Sequence, residues 1–373
     1  MPFARYVALG DSQTEGLLDP DGRGGYRGWA DRLAELLTAT SPHLAYANLA
    51  VRGKRLGEIR AEQLDAALAL EPDLATVMGG LNDLLRPGAD LDVMLGHLDA
   101  AVGALRTSGA TVATNTFPAI EAIAPLLRRL APRVDAVNDG IRSIARSHGA
   151  LLVDVAEHGV GTDRAIWSPD RIHANPVGHA LIAASFADVL GLPGHETWRQ
   201  PPPPGAAVPR ARRLADEARW VGTAVVPWLV RRARGRSSGD GRTAKRPRLL
   251  PVAPVYHLVT PDRWPGSGWY RPESLEREGF VHLSFADQVA GSANRHLADA
   301  VELLAVELDP VAVGADIRIE DTYGSGQAFP HAYGPIPVRA AVGRSQLHRG
   351  PDGAWLGVSP PRADLASPPS PPR

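Results

Sequence analysis

The stretch Tyr6-Val7-Ala8-Leu9-Gly10-Asp11-Ser12 decides the fold, because a short apolar run ends there in a glycine and two polar residues. Four further apolar runs follow, and segments of helical period separate them. These runs cover residues 45–50, 74–78, 110–115 and 151–155. Short apolar runs that alternate with helices predict a parallel sheet covered on both faces. We therefore expect an α/β domain with a five-stranded parallel sheet over residues 1–192.

Two of the intervening helices carry clear sequence signals. In one, apolar residues recur at three- and four-residue spacing, which places them on one helix face. These residues are Tyr26, Trp29, Leu33, Leu36 and Leu37. In the last helix of the domain, Asn175 is a suitable N-cap, Pro176 suits the first turn and Gly191 marks the end.

Polar residues stand where the predicted strands end, and in such sheets ligands bind beyond the carboxyl ends of the strands. Ser12 follows the first strand, Gly53 the second and Asn82 the third. Asp170 and His173 share a short loop directly before the last helix. Acyl transfer by a serine needs a nucleophile, a base, a group that orients the base and donors for the oxyanion. The sequence offers a candidate for each.

Four segments of the chain resemble the four blocks of the SGNH, or GDSL-type, hydrolase superfamily, in the usual chain order. They are Gly10–Gly16, Val51–Lys54, Gly79–Asp83 and Ser168–His173. The resemblance implies a flavodoxin-like three-layer sandwich and hydrolysis of esters, thioesters or acetylated sugars. It covers about the first half of the chain and implies no cofactor for that half.

By the same resemblance, Ser12 is the nucleophile, His173 its general base and Asp170 the group that holds the imidazole. The backbone N–H groups of Ser12 and Gly53 and the side-chain amide of Asn82 would receive the oxyanion. Each residue also has a plain structural interpretation, since Gly-Asp-Ser often forms a turn or cap and a single histidine often lies on the surface. Their joint occurrence favours catalysis.

Gln13 departs from the family pattern, which has leucine after the serine, and this change alters the polarity of the predicted pocket. A second serine motif, Gly235-Arg236-Ser237-Ser238-Gly239, matches the G-x-S-x-G nucleophile elbow as a string. That elbow requires a strand before it and a helix after it. Because the match lies in an arginine-rich stretch, we interpret it as a chance match.

Composition excludes several other classes of site. The chain has no cysteine, so disulfides, thiolate metal sites and cysteine nucleophiles are excluded. No histidine pair has a metal-ligand spacing, and we expect no metal site. The N-terminus reaches Asp11 before an apolar signal core develops, and no window approaches the ~20 apolar residues of a membrane span. We therefore expect a cytoplasmic protein.

Residues 193–250 are predicted to form a linker rich in proline and arginine. Four prolines follow Gln200, and residues 209–250 carry twelve Lys and Arg against three acidic residues, a balance of +9. A helix is predicted over Leu214–Val230. Three interpretations stay open: a solubilising linker, a segment that docks on the acidic remainder, or a contact for nucleic acid or anionic membrane.

Residues 251–345 are predicted to form a small α+β domain, followed by a proline-rich, disordered tail over residues 346–373. Segments of this domain resemble a widespread bacterial family of unknown function that is distantly similar to the ADP-ribosyltransferase fold. The resemblance implies an NAD pocket at His257, Ser284 and Glu320, with His282 and His331 near it. The alternative is that these histidines are structural. For the whole protein, the alternative to a hydrolase is a binding protein or NAD-dependent transferase whose role is set by this domain.

Overall fold

The computed structural model of the chain describes residues 2–86, 88–200, 210–227, 230, 234 and 237–358. The chain divides into two compact units, with the boundary between Leu249 and Leu250. Among the helices of the described residues, none is long and apolar enough to cross a membrane.

The first unit is built on a sheet whose order is β5-β4-β3-β1-β2-β6. The strands are β1 (Arg5–Gly10), β2 (Ala45–Asn48), β3 (Leu74–Met78), β4 (Thr111–Asn115), β5 (Leu151–Val153) and β6 (Arg246–Pro251). The first five strands pair in parallel, which confirms the predicted five-stranded parallel arrangement. The strand order reverses at β1, and the crevice at such a reversal is where α/β sheets bind ligands.

Helices cover both faces of this sheet and give the three-layer arrangement. They are α1 (Ser12–Glu15), α2 (Gly28–Leu37), α3 (Leu56–Ala69), α4 (Leu81–Leu84), α5 (Leu91–Thr107), α6 (Ile120–Ile123), α7 (Ala131–His148) and α8 (Pro176–Val189). The predicted cap of α8 is confirmed, since the Asn175 side chain accepts hydrogen bonds from the N–H groups of Val177 and Gly178. Helix α2 begins at Gly28, so Tyr26 lies before the helix to which the periodicity assigned it.

Two apolar layers hold the helices against the sheet. On one face, buried residues of α3, α5 and α7 pack against β1, β3 and β4. Between α2 and α8, the rings of Trp29 and Phe186 stack with their centroids 4.4 Å apart, and both side chains are fully buried. This packing holds the start of α8, which directly follows the last sequence block, Ser168–His173.

The sixth strand was not predicted, because residues 246–250 were assigned to a linker. Strand β6 lies next to β2 at the edge of the sheet, where proline is tolerated because one side of the strand needs no ladder partner. The Arg246 side chain also donates from Nε to the Tyr46 carbonyl over 2.8 Å. The proline and arginine content that indicated a linker is therefore equally compatible with an edge strand.

Most of the predicted linker folds with the first unit. Trp198, in a short 3₁₀ turn at Glu196–Arg199, is only 3% exposed and donates from Nε1 to Asp188 Oδ2 over 2.8 Å. Helix α9 (Arg210–Trp220) starts before the predicted helix over Leu214–Val230, overlaps it, and continues into a π-helical turn at Val221–Val225. The four prolines after Gln200 lie outside the described residues.

The second unit consists of short antiparallel sheets and a few short helices. Their orders are β14-β10-β7, β11-β12-β9 and β13-β8. The strands are β7 (Val255–Val259), β8 (Trp269–Tyr270), β9 (Val281–His282), β10 (Leu304–Leu308), β11 (Asp316–Glu320), β12 (Phe329–Tyr333), β13 (Ile336–Pro337) and β14 (Ala341–Gln346). The helices are Glu273–Arg277, Val289–His296 and Pro310–Val313.

The second unit extends further along the chain than the predicted boundary at residue 345. Trp355 is 3% exposed and packs in a cluster with Val289 and Leu303. Its Nε1 donates to the Leu297 carbonyl over 3.0 Å. The prediction of a disordered tail is therefore wrong for residues 346–358, where one buried tryptophan fixes the chain. Residues 359–373 lie outside the described residues.

Candidate active site

Ser12, His173 and Asp170 form one continuous chain of hydrogen bonds at the carboxyl edge of the sheet. His173 Nε2 lies 2.8 Å from Ser12 Oγ, and His173 Nδ1 lies 2.6 Å from Asp170 Oδ2. Residues from the first and last predicted blocks, 161 positions apart in sequence, are thereby brought into contact. A hydroxyl beside an imidazole, with a carboxylate on the other ring nitrogen, is the arrangement that acyl transfer by a serine requires.

The loop before α8 closes on itself and fixes Asp170. Asp170 Oδ1 accepts hydrogen bonds from the N–H groups of Ile172, at 3.1 Å, and His173, at 3.0 Å. The Ser168 N–H donates to the His173 carbonyl over 2.8 Å. Burial raises the pKa of Asp170, but its hydrogen bonds with His173 and with these N–H groups outweigh burial and lower the pKa overall. The carboxylate is therefore held in its charged form.

The nucleophile candidate stands at the first turn of α1. Ser12 is 8% exposed, and the preceding Asp11 caps the helix by accepting from the Gln13 N–H over 3.2 Å. Burial raises the pKa of Asp11 to about 6. Asp11 thus caps the helix, and Ser12, the candidate nucleophile, is the first residue of that helix. The structural and functional interpretations of this tripeptide are therefore compatible.

Gly53 and Asn82 line the same cavity as Ser12 and His173. Gly53 has a φ of +78°, in the left-handed region that favours glycine. Asn82 Nδ2 donates to Asp11 Oδ2 and to the Lys54 carbonyl, each over 3.0 Å. Because an amide group has two hydrogens, both are engaged here. Asn82 can donate to an oxyanion only when one of these bonds opens.

Gln13 contributes a contact that the sequence did not predict. Its Nε2 donates to the Ile172 carbonyl and its Oε1 accepts from the Ala174 N–H, each over 3.2 Å. The amide therefore holds the backbone on both sides of His173. A leucine at this position, as in the family pattern, has no polar atom for either bond.

A buried ion pair that the sequence did not reveal joins α1 to the loop of Gly53. Glu15 and Arg52 are 9% and 8% exposed, and Arg52 donates to Glu15 from Nε over 2.9 Å and from its backbone N–H over 2.8 Å. Arg52 Cζ also lies 5.1 Å from the centroid of the Tyr26 ring. Since Arg52 directly precedes Gly53, this pair fixes the position of the Gly53 N–H.

The cavity beside Ser12 has a volume of about 300 Å³ and an extensively apolar wall. Aliphatic and aromatic residues from several loops and helices form this wall. They include Leu17, Leu85, Phe117, Ile120, Ile123, Leu127, Val160, Trp167, Ile172, Leu181, Ile182 and Trp198. Asn115, at the end of β4, lines the cavity with an Oδ1 atom that is buried and accepts no hydrogen bond from the described residues.

The segment with the second serine motif also reaches this site. Ser238 lines the cavity, and a Cβ atom on Gly53 would come within 2.4 Å of Ser237 Oγ. Ser237 to Gly241 form a turn, and the Ser237 N–H donates to Asp240 Oδ2 over 2.9 Å. The described part of the motif therefore packs against the Gly53 loop, whereas it is Ser12 that contacts His173.

One basic residue of the predicted linker docks on the first unit. Lys245 Nζ lies 2.9 Å from Asp31 Oδ2 and donates to the carbonyls of Tyr26 and Arg27. This contact supports the interpretation that the segment docks on acidic parts of the protein. Binding of nucleic acid or anionic membrane stays a prediction.

The predicted residues of the second unit separate into three groups. His257 is buried, with Nδ1 donating to the His282 carbonyl and Nε2 beside the Tyr270 hydroxyl, each at 2.9 Å. Ser284 Oγ lies 2.9 Å from Ser292 Oγ. Glu320 Oε1 lies 3.2 Å from His331 Nδ1.

The second unit therefore does not join its predicted residues in one hydrogen-bond chain. The rings of His282 and His331 approach each other, with centroids 5.4 Å apart, and the ring of Phe280 stacks on His331. Burial lowers the pKa of His257 to about 4, so this histidine is neutral at physiological pH. The two partners of His257 support the structural interpretation of this residue, and NAD binding stays a prediction. In the part of the chain that the structure describes, no group of three or more His, Asp or Glu residues is placed to hold a metal ion.

Comparison with known proteins shows which families the two halves of the chain match. Residues 8–181 match the GDSL-like lipase/acylhydrolase family, and residues 258–344 match a protein family of unknown function, DUF952. The N-terminal half of the chain is a GDSL-like lipase/acylhydrolase domain. The protein is an ester-hydrolysing enzyme.

Among curated proteins, an acetylxylan esterase of Geobacillus stearothermophilus is 24% identical over 215 residues, which is 50% of this chain and 94% of that protein. A solved structure of Axe2, an acetylxylan esterase from the same organism, is 20% identical, with 53% of this chain and 96% of that chain covered and a TM-score of 0.44. LAE5, described as an alpha/beta hydrolase from the metagenome of Lake Arreo, is 25% identical, with coverage of 51% and 95% and a TM-score of 0.44.

Proposed function

We propose that the protein hydrolyses carboxylic esters through an acyl-enzyme in which Ser12 is the nucleophile, His173 the general base and Asp170 the group that orients His173. The observation that carries this proposal is the hydrogen-bond chain from Ser12 Oγ through both ring nitrogens of His173 to Asp170. A serine hydroxyl is a weak nucleophile unless a base stands ready to take its proton.

In the first half of the reaction, Ser12 Oγ attacks the acyl carbon of the ester while His173 Nε2 takes the hydroxyl proton. The tetrahedral intermediate then collapses, and His173 returns the proton to the leaving alcohol. Asp170 accepts from Nδ1–H, which selects the tautomer with a free Nε2 and stabilises the imidazolium. The product of this half is an ester between Ser12 and the acyl group.

In the second half, water attacks the acyl carbon as His173 Nε2 takes one of its protons. The proton then passes to Ser12 Oγ as the acyl bond breaks, and the carboxylic acid leaves. The Ser12 and Gly53 N–H groups and the Asn82 amide serve as oxyanion donors in both halves. For Asn82, this role requires that its bond to Asp11 or to the Lys54 carbonyl opens in the intermediate.

The shape of the cavity favours an apolar acyl group. About 300 Å³ of space with a largely aliphatic and aromatic wall suits a hydrocarbon chain, whose burial gives about 0.8 kcal/mol per CH₂. A second candidate substrate is an acetylated sugar, which the 24% identical acetylxylan esterase favours. A series of p-nitrophenyl esters from acetate to decanoate separates the two. We expect kcat/KM to rise with chain length, and a maximum at acetate with activity on acetylated xylooligosaccharides would favour the second candidate.

A fluorophosphonate probe tests the catalytic role of Ser12 directly. The native protein should be labelled on Ser12, and denatured protein should not be labelled. Ser12→Ala should abolish labelling and ester hydrolysis, while Ser108→Ala, a control at an exposed serine that directly follows α5, should keep both. Labelling of another serine, or full activity in Ser12→Ala, would contradict the proposal. Acyl-CoA substrates in the same assay report whether thioesters are also cleaved.

A further inference from the structure

Helix α9 packs against the loop Ser168–His173, called the catalytic loop below. The helix lies outside the part of the chain that matches the hydrolase family. The Trp220 indole Nε1 donates to the Asp170 carbonyl oxygen over 2.8 Å. Glu217 Oε1 accepts from Arg171 Nη1 over 2.6 Å, and Arg171 Nη2 lies 3.3 Å from the Asp216 carbonyl. The Asp170 carbonyl and the Arg171 side chain are thus both tied to one helix.

The side chains that make these contacts are buried. Arg171 is 6% exposed and Trp220 is 4% exposed, and Arg171 Cζ lies 4.6 Å from the centroid of the Trp220 ring. A buried guanidinium needs partners, and the carboxylate of Glu217 and the face of the indole provide them. If either partner is removed, a buried and partly unpaired charge remains, and we expect the Arg171 side chain to move towards solvent.

The backbone of Arg171 is also held in an unusual conformation. Its φ is +59°, in the left-handed region that costs energy for a residue with a side chain. Such a conformation persists only where surrounding contacts maintain it. Arg171 lies between Asp170 and Ile172, so a change at this residue changes the direction of the Asp170 carboxylate towards His173.

The same helix and its continuation help to form the wall behind the substrate cavity. Trp220, Ala224 and Val225 line a small cavity together with Leu127 and Ile172, and the latter two residues also line the cavity of Ser12. The segment therefore contacts the catalytic loop through polar groups and the cavity wall through apolar ones.

We propose that Glu217 and Trp220 are positioning residues for ester hydrolysis. Through Arg171 and the Asp170 carbonyl, they keep the Asp170 carboxylate within hydrogen-bond distance of His173. This inference rests on the proposed function of Ser12, His173 and Asp170. It assigns to the segment after the family domain a part in the reaction rather than the role of a spacer.

The test uses the full chain with Trp220→Phe, which removes the N–H donor and keeps an aromatic ring over Arg171, and Glu217→Gln, which removes the charge at constant size. Each should lower kcat by about 10- to 100-fold, the range for small misplacements of catalytic groups, with KM changed less than about twofold. Arg219→Ala, at an exposed position of the same helix, is the control and should leave kcat unchanged.

A double-mutant cycle separates positioning from a purely structural role. In an Asp170→Asn background, Trp220→Phe should have almost no further effect on kcat, because the group that it positions is already lost. Equal fold-losses in both backgrounds, or an unchanged kcat in the single variants, would overturn the inference. If Trp220→Phe does not fold, the same cycle with Glu217→Gln decides. Wild-type protein without ester hydrolysis or fluorophosphonate labelling would instead contradict the proposed function itself.

Discussion

The two units carry similar residues in different arrangements. The first has Ser12, His173 and Asp170, and the second has a serine, a glutamate and several histidines. In the first, loops at the ends of strands join the groups in one chain beside a cavity. In the second, His257 lies within β7 and has partners at both ring nitrogens.

The difference shows that residue types alone do not define a reactive site. His257 has both ring nitrogens bonded to packed groups of the second unit, whereas His173 has one ring nitrogen beside the Ser12 hydroxyl and one beside the Asp170 carboxylate. Position in a loop distinguishes the two cases, since loops are exposed to ligand and side chains within a strand are packed.

The largest difference between the two units is expected when one histidine is removed from each. His173→Ala should lower the kcat of ester hydrolysis by roughly 10⁴-fold or more, since Ser12 then lacks a base. His331→Ala should leave ester hydrolysis within about twofold of wild type. The kinetics of p-nitrophenyl ester hydrolysis measure both, and a comparable loss in the two variants would show that the second unit takes part in the reaction.

The carboxylate of the first unit gives the next largest effect. Asp170→Asn should lower kcat by about 10³- to 10⁴-fold, because the amide no longer favours the required tautomer of His173. The pKa of Asp170 is lowered, so its ionised form stabilises the fold at pH values above the ordinary 3.8. That stabilisation should be lost as the pH falls through the lowered pKa. Thermal denaturation of wild type and variant from pH 3 to pH 7 should therefore show a difference that shrinks at the acid end.

A smaller effect is expected from Gln13. Its substitution tests whether the backbone on both sides of His173 needs the hydrogen bonds that Gln13 provides. Gln13→Leu restores the family's residue but removes the bonds to the Ile172 carbonyl and the Ala174 N–H. We expect kcat to fall by about 10-fold, the size of a small error in orientation. Gln13→Glu keeps an acceptor for Ala174 and serves as the matched variant. Unchanged steady-state kinetics in Gln13→Leu would show that the loop needs no such support.

The smallest expected effect on catalysis comes from His257, where the change should appear in stability. Its pKa of about 4 lies below the ordinary 6.5, so the unfolded chain takes up a proton that the folded chain does not. Wild-type stability should fall as the pH drops from about 6.5 towards 4, and His257→Gln should lack this part of the decline.

Calorimetry of the full chain, following the transition of the second unit, measures this difference. A thermal-shift titration with NAD belongs to the same experiment. A stabilising shift at millimolar NAD that His257→Gln abolishes would show that His257 serves a ligand after all, whereas identical pH profiles would contradict its assignment as a buried neutral group.

The sequence predicted the parts of the molecule that local patterns specify. Apolar runs located β1 to β5, and Asn175, Pro176 and Gly191 located the ends of α8. The residues brought together at Ser12 were also predicted, because strand ends in a parallel sheet share one edge.

What the sequence did not predict depends on contacts between distant segments. Trp220 contacts Asp170 across 50 positions, and Arg52 contacts Glu15 across 37. No local period marks either residue as a partner. Strand β6 was missed because its prolines and arginines resemble those of a linker, and only its place beside β2 makes it a strand.

Strand β6 also determines where the chain can be divided. A fragment that ends at residue 192 would lack β6 and α9, so the outer edge of β2 would present unpaired N–H and carbonyl groups to other molecules. Unpaired backbone groups along a strand edge can pair with another chain, and such a fragment should therefore aggregate or dimerise through β2. Because β6 runs from Arg246 to Pro251, a cut after Leu249 would shorten the strand that protects this edge. Cleavage after Pro251 is therefore expected to release a more stable esterase fragment than cleavage after Leu249.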